Sequence, residues 1–156
     1  AAKNKAKGKG QMANGKSAPT RDIRERLLEY SAAIIGVVGS LPRTLIGRRL
    51  GDQLLRCSVS VGANYEEARA AESKDDFIHK MQLALKEVRE SNYWLRLLGK
   101  AKVMPPERLS FLLDESGQLI AILSKAVATA KGKAKSAAQT VLLPFAICHL
   151  PFDFLL

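Results

Sequence analysis

Between residues 58 and 98 the apolar side chains are spaced as an α-helix requires and a strand does not. In the second half of this stretch they follow one another at intervals of 4-3-4-3-4-3, which places them on one helix face. Ser73 offers a capping hydroxyl, and Asp75 and Asp76 suit the positive end of the helix dipole. We therefore predict a long amphipathic helix that ends near Gly99. Its apolar seam consists of Phe77, Met81, Ala84, Val88, Ser91, Leu95 and Leu98.

The same spacing recurs in three other segments, and strand-like alternation appears nowhere at comparable length. The first segment, with Thr20 as its expected cap, contains Ile23, Leu27, Tyr30, Ile34, Val37 and Leu41. The second, over about 44–71, contains Ile46, Leu50, Leu54, Cys57, Val61 and Ala68. The last, which starts at Pro106, contains Leu109, Leu112, Ser116, Leu119, Leu123, Ala126 and Ala130.

The predicted connections, at about 39–43, 72–73 and 100–104, are short. Short connections force consecutive helices to run antiparallel. The sequence therefore predicts an all-α fold, an antiparallel up-down-up-down four-helix bundle over 20–132. A disordered basic tail is expected over 1–19, and an apolar tail over 133–156 has no predicted structure. Within the bundle, Gly51 and Gly62 permit either close helix approach or a kink.

The formal net charge of +10 is distributed unevenly. Residues 1–20 carry five lysines and no acid, Lys131, Lys133 and Lys135 add three positive charges, and Asp153 takes one away, which leaves +3 on the rest of the predicted bundle. A lysine-rich tail without apolar residues either contacts phosphates through counterion release or serves solubility. RNA binding by this chain is therefore predicted to be electrostatic and to depend on the tails.

The last 17 residues are strongly apolar. They are too short for a spanning helix of about 20 residues, and Pro144 and Pro151 interrupt them. Docking on the bundle or on another subunit is slightly favoured over a segment with no selected role. Cys57 and Cys148 suggest no disulfide framework. Because no leader-like apolar segment precedes the bundle, a reducing cytoplasm is expected, with no membrane association.

Residues suited to catalysis are sparse. Asp76 and His79 have the acid–histidine spacing of di-iron bundles, but the seam turns His79 away from the core and no second pair exists. No Ser/His/Asp or Cys/His arrangement and no phosphate-cradling loop can be assembled. We expect no enzymatic activity, no metal or other cofactor and no small-molecule substrate. A metal-binding bundle is a remote alternative.

Basic and polar side chains on the second and third helices have two interpretations. The cations either merge into one basic face or are neutralised by Glu66, Glu87 and Glu90, and the mixed-charge face is favoured. These cations are Arg48, Arg49, Arg56, Lys86, Arg89 and Arg96. For Asn64, a structural contact that fixes helix register is favoured over a subunit or RNA contact.

Tyr93 and Trp94 flank the third helix's seam. Aromatic residues in such positions are more often core or interface anchors than base-stacking platforms.

The segment 40–98 resembles the four-helix-bundle proteins encoded in 23S ribosomal RNA intervening sequences of bacteria. The resemblance extends more weakly over 21–131 and excludes both tails. Gly62 stands where many members carry proline, so the helix is expected to be straighter here. The resemblance rests on Ser60-Val61-Gly62-Ala63-Asn64 with Glu67, then Ser73 and Asp76-Phe77-Ile78, and finally Glu87-x-x-Glu90-Ser91-x-Tyr93-Trp94-Leu95.

This resemblance implies a ring-forming homopentamer of antiparallel bundles without an established catalytic activity. A related group, the accessory proteins of diversity-generating retroelements, resembles basic barrels that bind RNA and a reverse transcriptase. The motif residues expected to have structural roles are Asn64, Glu67, Phe77 and Trp94. The candidate nucleic-acid contacts are Lys3, Lys5, Lys7, Lys9, Arg48, Arg49, Arg56, Arg89, Arg96, Lys131, Lys133 and Lys135.

Two functions are therefore expected from the sequence. The first is an RNA-associated binding or scaffold protein, acting on ribosomal RNA or a ribonucleoprotein. The second is a structural homo-oligomer that contacts other proteins without binding RNA directly. Surplus apolar residues outside the narrow seams support self-association in either case. They are Leu28, Ile35, Val38, Leu55, Ile78, Leu113 and Ile120.

Overall fold

A computed structural model describes residues 22–132, and this part of the chain is all-α. It contains four helices and no strand. They are α1 (Ile23–Gly39), α2 (Leu45–Arg69), α3 (Lys74–Lys100) and α4 (Pro106–Ala130). The predicted tails over 1–19 and 133–156 lie outside the described residues. No helix in the described part is long and apolar enough to cross a membrane.

Local chemistry defines where each helix starts. The Thr44 hydroxyl accepts from the Gly47 amide at 3.0 Å, and the Ser73 hydroxyl accepts from the Asp76 amide at 3.1 Å. Pro106 occupies the first turn of α4, where a missing N–H costs nothing. The prediction that Thr20 caps α1 is wrong. The cap is Asp22, whose carboxylate accepts from the Arg24 amide because acceptor side chains suit this position.

Each helix packs against two neighbours, so that α1 and α3 both lie between α2 and α4. The connections 40–44 and 101–105 lie at the same end of the molecule. There, Arg108 at the start of α4 donates to the Ser40 hydroxyl after α1, at 3.1 Å. We call this the two-loop end. At the opposite end, Arg24 near the start of α1 contacts Glu66 near the end of α2.

The predicted seams supply most of the core. Tyr30, Leu54, Leu95 and Leu119 are among the largest fully buried side chains. Six seam positions are less buried than predicted: Ile23, Ile46, Leu50, Phe77, Ala126 and Ala130. Ile46 is 64 % exposed because the buried face of α2 passes through Gly47 and Gly51 here, and Phe77 is only partly buried. Near the end of α4, Val127 is buried and Ala126 only partly so, since 3.6 residues per turn shift a 4-3 stripe over several turns.

A polar layer crosses the middle of this core. The hydroxyls of Tyr30 and Ser91 share a hydrogen bond at 2.6 Å, and both residues are buried. Nearby, the Asn92 amide donates to the Ser116 hydroxyl at 2.8 Å. Burial raises the pKa of Tyr30, so its hydroxyl remains protonated. These buried groups are therefore satisfied within the protein.

Glycine lets the chain turn tightly at the two-loop end. A Cβ at Gly47 would lie 2.1 Å from the Pro42 carbonyl oxygen. At Gly51 it would lie 3.1 Å from Leu41 Cδ1, so this glycine does permit close approach. Gly62 does not, since nothing lies within 4 Å of its Cβ position. The α1–α2 corner is thus built on glycines in the first two turns of α2.

Candidate nucleic-acid interface

The two-loop end concentrates positive charge. Seven basic side chains lie in its loops and in the adjoining helical turns, against only Asp52 and Glu107 among the acids. We call this set the basic end. Its members are Arg43, Arg48, Arg49, Arg96, Lys100, Lys102 and Arg108. All seven are exposed.

Among residues 22–132, the cations of the basic end have no carboxylate partner. The Arg48 guanidinium donates to the Arg43 carbonyl oxygen at 2.9 Å, and Arg108 donates to the Ser40 hydroxyl. Within residues 22–132, none of the seven forms an ion pair. Unpaired cations held on a folded scaffold leave a positive potential that attracts polyanions.

The opposite end is ion-paired instead. Glu66 accepts from Arg24 at 2.9 Å and from Arg69 at 2.8 Å, and Lys80 pairs with Glu67 across the α2–α3 connection. The hydrogen bond from Arg24 holds the pKa of Glu66 below its ordinary value. Glu66 therefore neutralises cations at this end rather than those of the predicted basic face.

Carboxylates from α3 neutralise Arg56 in the middle of the predicted basic face. The Arg56 guanidinium donates to Glu90 at 2.6 Å and lies 3.9 Å from Glu87. One buried oxygen of Glu87 has no hydrogen-bond partner. Burial, followed by the charge of Glu90, raises the pKa of Glu87. Arg89 and Arg96 form no ion pair with a described residue, so these two remain available for a partner.

The four motif residues with expected structural roles make separate contacts. The Asn64 amide donates to the Ser60 carbonyl of its own helix at 2.8 Å and is half-buried, so this bond does not link two helices. Glu67 pairs with Lys80, and Phe77 packs on the core. Trp94 also packs on the core, and its indole N–H donates to Glu90 at 3.2 Å.

Grooves in the surface of the described residues include one at the two-loop end and one between α1 and α2. One, of about 790 Å³, lies at the two-loop end, where Leu109 and Leu113 form part of an apolar lining and Arg96, Lys100 and Lys102 supply charge. The other, of about 480 Å³, lies between α1 and α2. Asp22, Arg24, Glu25, Ser31, Tyr65 and Glu66 form the polar part of its lining, and the apolar part consists of Leu27, Leu28, Ala32, Ile35, Val59, Gly62 and Ala63.

Six of the candidate nucleic-acid contacts belong to the two tails. Lys3, Lys5, Lys7, Lys9, Lys133 and Lys135 lie outside the described residues. Lys131 caps the end of α4, and His79 is exposed. Within residues 22–132, no three His, Cys, Asp or Glu side chains are grouped as a metal ion would require.

The concentration of charge at one end was missed from sequence. The bundle's small net charge concealed it, although the runs Arg43, Arg48, Arg49 and Arg96, Lys100, Lys102 border the two short connections. Adding charges over the bundle as a whole removed the positional signal. Assigning each charge to the end of its helix would have recovered it.

The described residues define an all-α protein of four packed helices with one cationic end. The chain belongs to the 23S rRNA-intervening sequence protein family, whose model matches residues 21–125. It is also similar to a crystal structure of a protein of unknown function from the S23 ribosomal protein family of Bacteroides thetaiotaomicron VPI-5482. The identity is 30 %, the TM-score is 0.63, and the match covers 67 % of this chain and 94 % of that one. A search of curated proteins found no match.

Proposed function

We propose that the chain is a non-catalytic RNA-binding scaffold protein whose basic end contacts the phosphate backbone. The observation that carries this proposal is the group of seven exposed cations at the basic end, none ion-paired within the described part. Lys and Arg side chains that neutralise phosphates release counterions and supply most non-specific affinity. The family's name, which refers to a ribosomal RNA, is compatible with such a partner.

The proposal includes the arrangement of the helices and the cellular setting. We place the helices in antiparallel up-down-up-down order, which the contacts Arg24–Glu66 and Arg108–Ser40 support. A bacterial cytoplasm suits the free thiol of Cys57. Burial raises the pKa of this thiol to about 12, which leaves it unreactive in the folded protein.

Neutralising the basic end tests the RNA contact. The double variant Arg48→Gln/Arg49→Gln removes two exposed charges from the basic end. Its matched control, Lys74→Gln/Lys125→Gln, removes two exposed charges elsewhere. In filter-binding titrations across salt concentrations, the first should lower the salt slope by about 1.4–1.8, since each lost phosphate contact removes roughly 0.7–0.9. Equal slopes for the two variants would contradict a contact at the basic end.

A contribution of the tail lysines to RNA binding is a separate prediction. Deleting residues 1–19 and neutralising Lys131, Lys133 and Lys135 should weaken RNA binding and flatten its salt dependence. In a ring the tails would act together, so the loss would exceed that of single contacts. If the truncated protein binds as before, the RNA contact belongs to the basic end alone.

A homo-oligomeric scaffold that contacts proteins is the second candidate, and exposed apolar residues favour it. Leu28, Ile35 and Val59 are 65 %, 56 % and 44 % exposed, and all three line the α1–α2 groove. A groove with exposed apolar side chains and a polar rim is suited to a protein surface. We propose that the chain forms a ring-shaped homopentamer in which the α1–α2 groove is buried between subunits.

Light scattering tests this second candidate directly. The protein should have several times the 17.0 kDa mass of one chain. Ile35→Glu should reduce that mass without changing the helical circular dichroism, because Ile35 is outside the core. A 17.0 kDa species at micromolar concentration in the unmodified protein would exclude the oligomer.

A further inference from the structure

The solvent-facing side of α3 carries a second periodic pattern, separate from the buried seam. Its five residues follow at intervals of 3-4-3-4 and all are exposed. At 1.5 Å per residue, they span about 21 Å along the helix. No acid interrupts this pattern, which we call the α3 stripe. It consists of Lys86, Arg89, Tyr93, Arg96 and Lys100.

The four cations of the α3 stripe form no ion pair with any described residue. The α3 carboxylate of Glu90, which lies outside the stripe, pairs with Arg56 of α2 instead. The stripe therefore presents a line of uncompensated charge. Such a line matches a polyanion that runs along the helix better than it matches a compact anion.

An aromatic ring lies in the middle of this line. Tyr93 is 46 % exposed, and its ring meets that of Trp94 edge-to-face, with 5.1 Å between centroids and 73° between planes. Trp94 in turn donates to Glu90, which is held by Arg56. A half-exposed ring supported in this way needs little ordering when a planar ligand stacks on it.

We infer that the α3 stripe binds single-stranded RNA, with phosphates on its cations and one unpaired base stacked on Tyr93. This inference rests on the RNA binding proposed above and adds the strandedness of the ligand and a specific residue. Aromatic side chains between cations are the usual platform for single strands, since every base has a stacking face. In a duplex, the bases are already stacked and their faces are covered.

The stripe leads into the basic end. Arg96 and Lys100 belong to both, and both line the groove of about 790 Å³ beside Leu109 and Leu113. A strand that follows α3 from Lys86 would therefore reach the cations of the two-loop end. One continuous path would then join base stacking on α3 to phosphate binding at the basic end.

The test compares substitutions at Tyr93 on single-stranded and duplex RNA. The probes are a uridine oligonucleotide of about 12 nucleotides, within the usual footprint of such sites, and a duplex of equal length. Tyr93→Leu should weaken single-strand binding roughly 5- to 100-fold. Tyr93→Phe should restore it, and duplex binding and the salt slope should not change. Phe111→Leu is the matched control, because Phe111 is an exposed aromatic on α4.

Tryptophan fluorescence gives a second measurement of base stacking in the same titrations. The chain has one tryptophan, Trp94, which contacts the Tyr93 ring. Single-stranded RNA should quench its fluorescence in the unmodified protein and in Tyr93→Phe, and less in Tyr93→Leu.

Two results would overturn the inference in different ways. If Tyr93→Leu binds the single strand as the unmodified protein does, base stacking on α3 is wrong while RNA binding by the basic end stands. If the unmodified protein binds neither probe at low salt, the RNA proposal fails together with this inference. A salt slope that falls in Lys86→Gln/Arg89→Gln would support the path along the stripe.

Discussion

The two ends of this molecule carry charge in opposite ways. At the two-loop end, seven exposed cations meet two acids and form no ion pair within the described residues. At the other end, Arg24, Arg69 and Lys80 each meet a glutamate. Exposed ion pairs contribute little to stability but cancel the local field. Uncompensated cations leave a field for a partner to use, so the same residue types serve different purposes at the two ends.

The two ends also differ in the residues that build them. The two-loop end is formed around glycines that accept close backbone contact, and it is therefore sterically intolerant. The other end is held by long side chains that can rearrange. We expect substitutions to be costly at the first end and mild at the second.

The largest effect is expected for Gly47→Ala. The added Cβ would lie 2.1 Å from the Pro42 carbonyl oxygen, a backbone atom that cannot move without displacing the corner. The free energy of unfolding should fall by about 3 kcal/mol, at the upper end of overpacking costs. Chemical denaturation measures this. Gly117→Ala is the control, since nothing lies within 4 Å of its Cβ position. It should be neutral or stabilising by up to about 1 kcal/mol.

An intermediate effect is expected where an ion pair is shielded. Arg26 donates to both Glu115 oxygens at 2.8 and 2.9 Å, and the two side chains are only 16 % and 14 % exposed. Arg26→Met should lower the free energy of unfolding by about 1–2 kcal/mol, because Glu115 keeps a half-buried charge without its donor. Arg24→Met removes an exposed pair and should leave thermal unfolding unchanged. Equal losses for the two variants would show that exposure does not control these pairs.

The smallest effect concerns Glu87, which lies between the two ends. Its pKa is raised by burial, so the folded state favours the protonated form. The associated stability is present below the ordinary glutamate pKa and is lost as pH rises through the raised pKa. Glu87→Gln removes this pH-dependent loss of stability. The free energies of unfolding of the unmodified protein and of Glu87→Gln should differ most near neutral pH and converge in acid. A pH-independent difference would locate the effect in packing rather than ionisation.

Periodicity predicted the helices well because burial follows directly from spacing. The seams of α1 and α3 are buried almost as expected, with Phe77 and Ile23 only partly covered at the helix starts. Ile46 was assigned to the core because it is apolar, whereas the buried face of the first turn of α2 is formed by Gly47, which has no side chain to reveal it. The cap at Asp22 was missed for a local reason: several polar residues precede α1, and only the backbone geometry selects one.

The candidate interface was less predictable, because pairing depends on distances between helices. The sequence left open whether Arg56 joins a basic face or is neutralised by acidic side chains, with the mixed-charge face favoured, and in the structure two carboxylates of α3 hold it. It also suggested that Glu66 lies beside that face, whereas it binds Arg24 and Arg69 at the opposite end. Arg89 and Arg96 remain available, and nothing in their spacing alone distinguishes them from Arg56.

The hydrogen bond between Tyr30 and Ser91 has a consequence for how α1 can move along α3. A slide of one turn would bring the tyrosine hydroxyl beside Val88 in one direction or Leu95 in the other, and both are fully buried apolar residues. Either displacement would strand a polar group at a cost of about 1–3 kcal/mol. The hydrogen bond therefore favours one axial position of α1 relative to α3. It thereby also fixes where α1 ends relative to α3, and with it the position of the connection that carries Arg43 at the two-loop end.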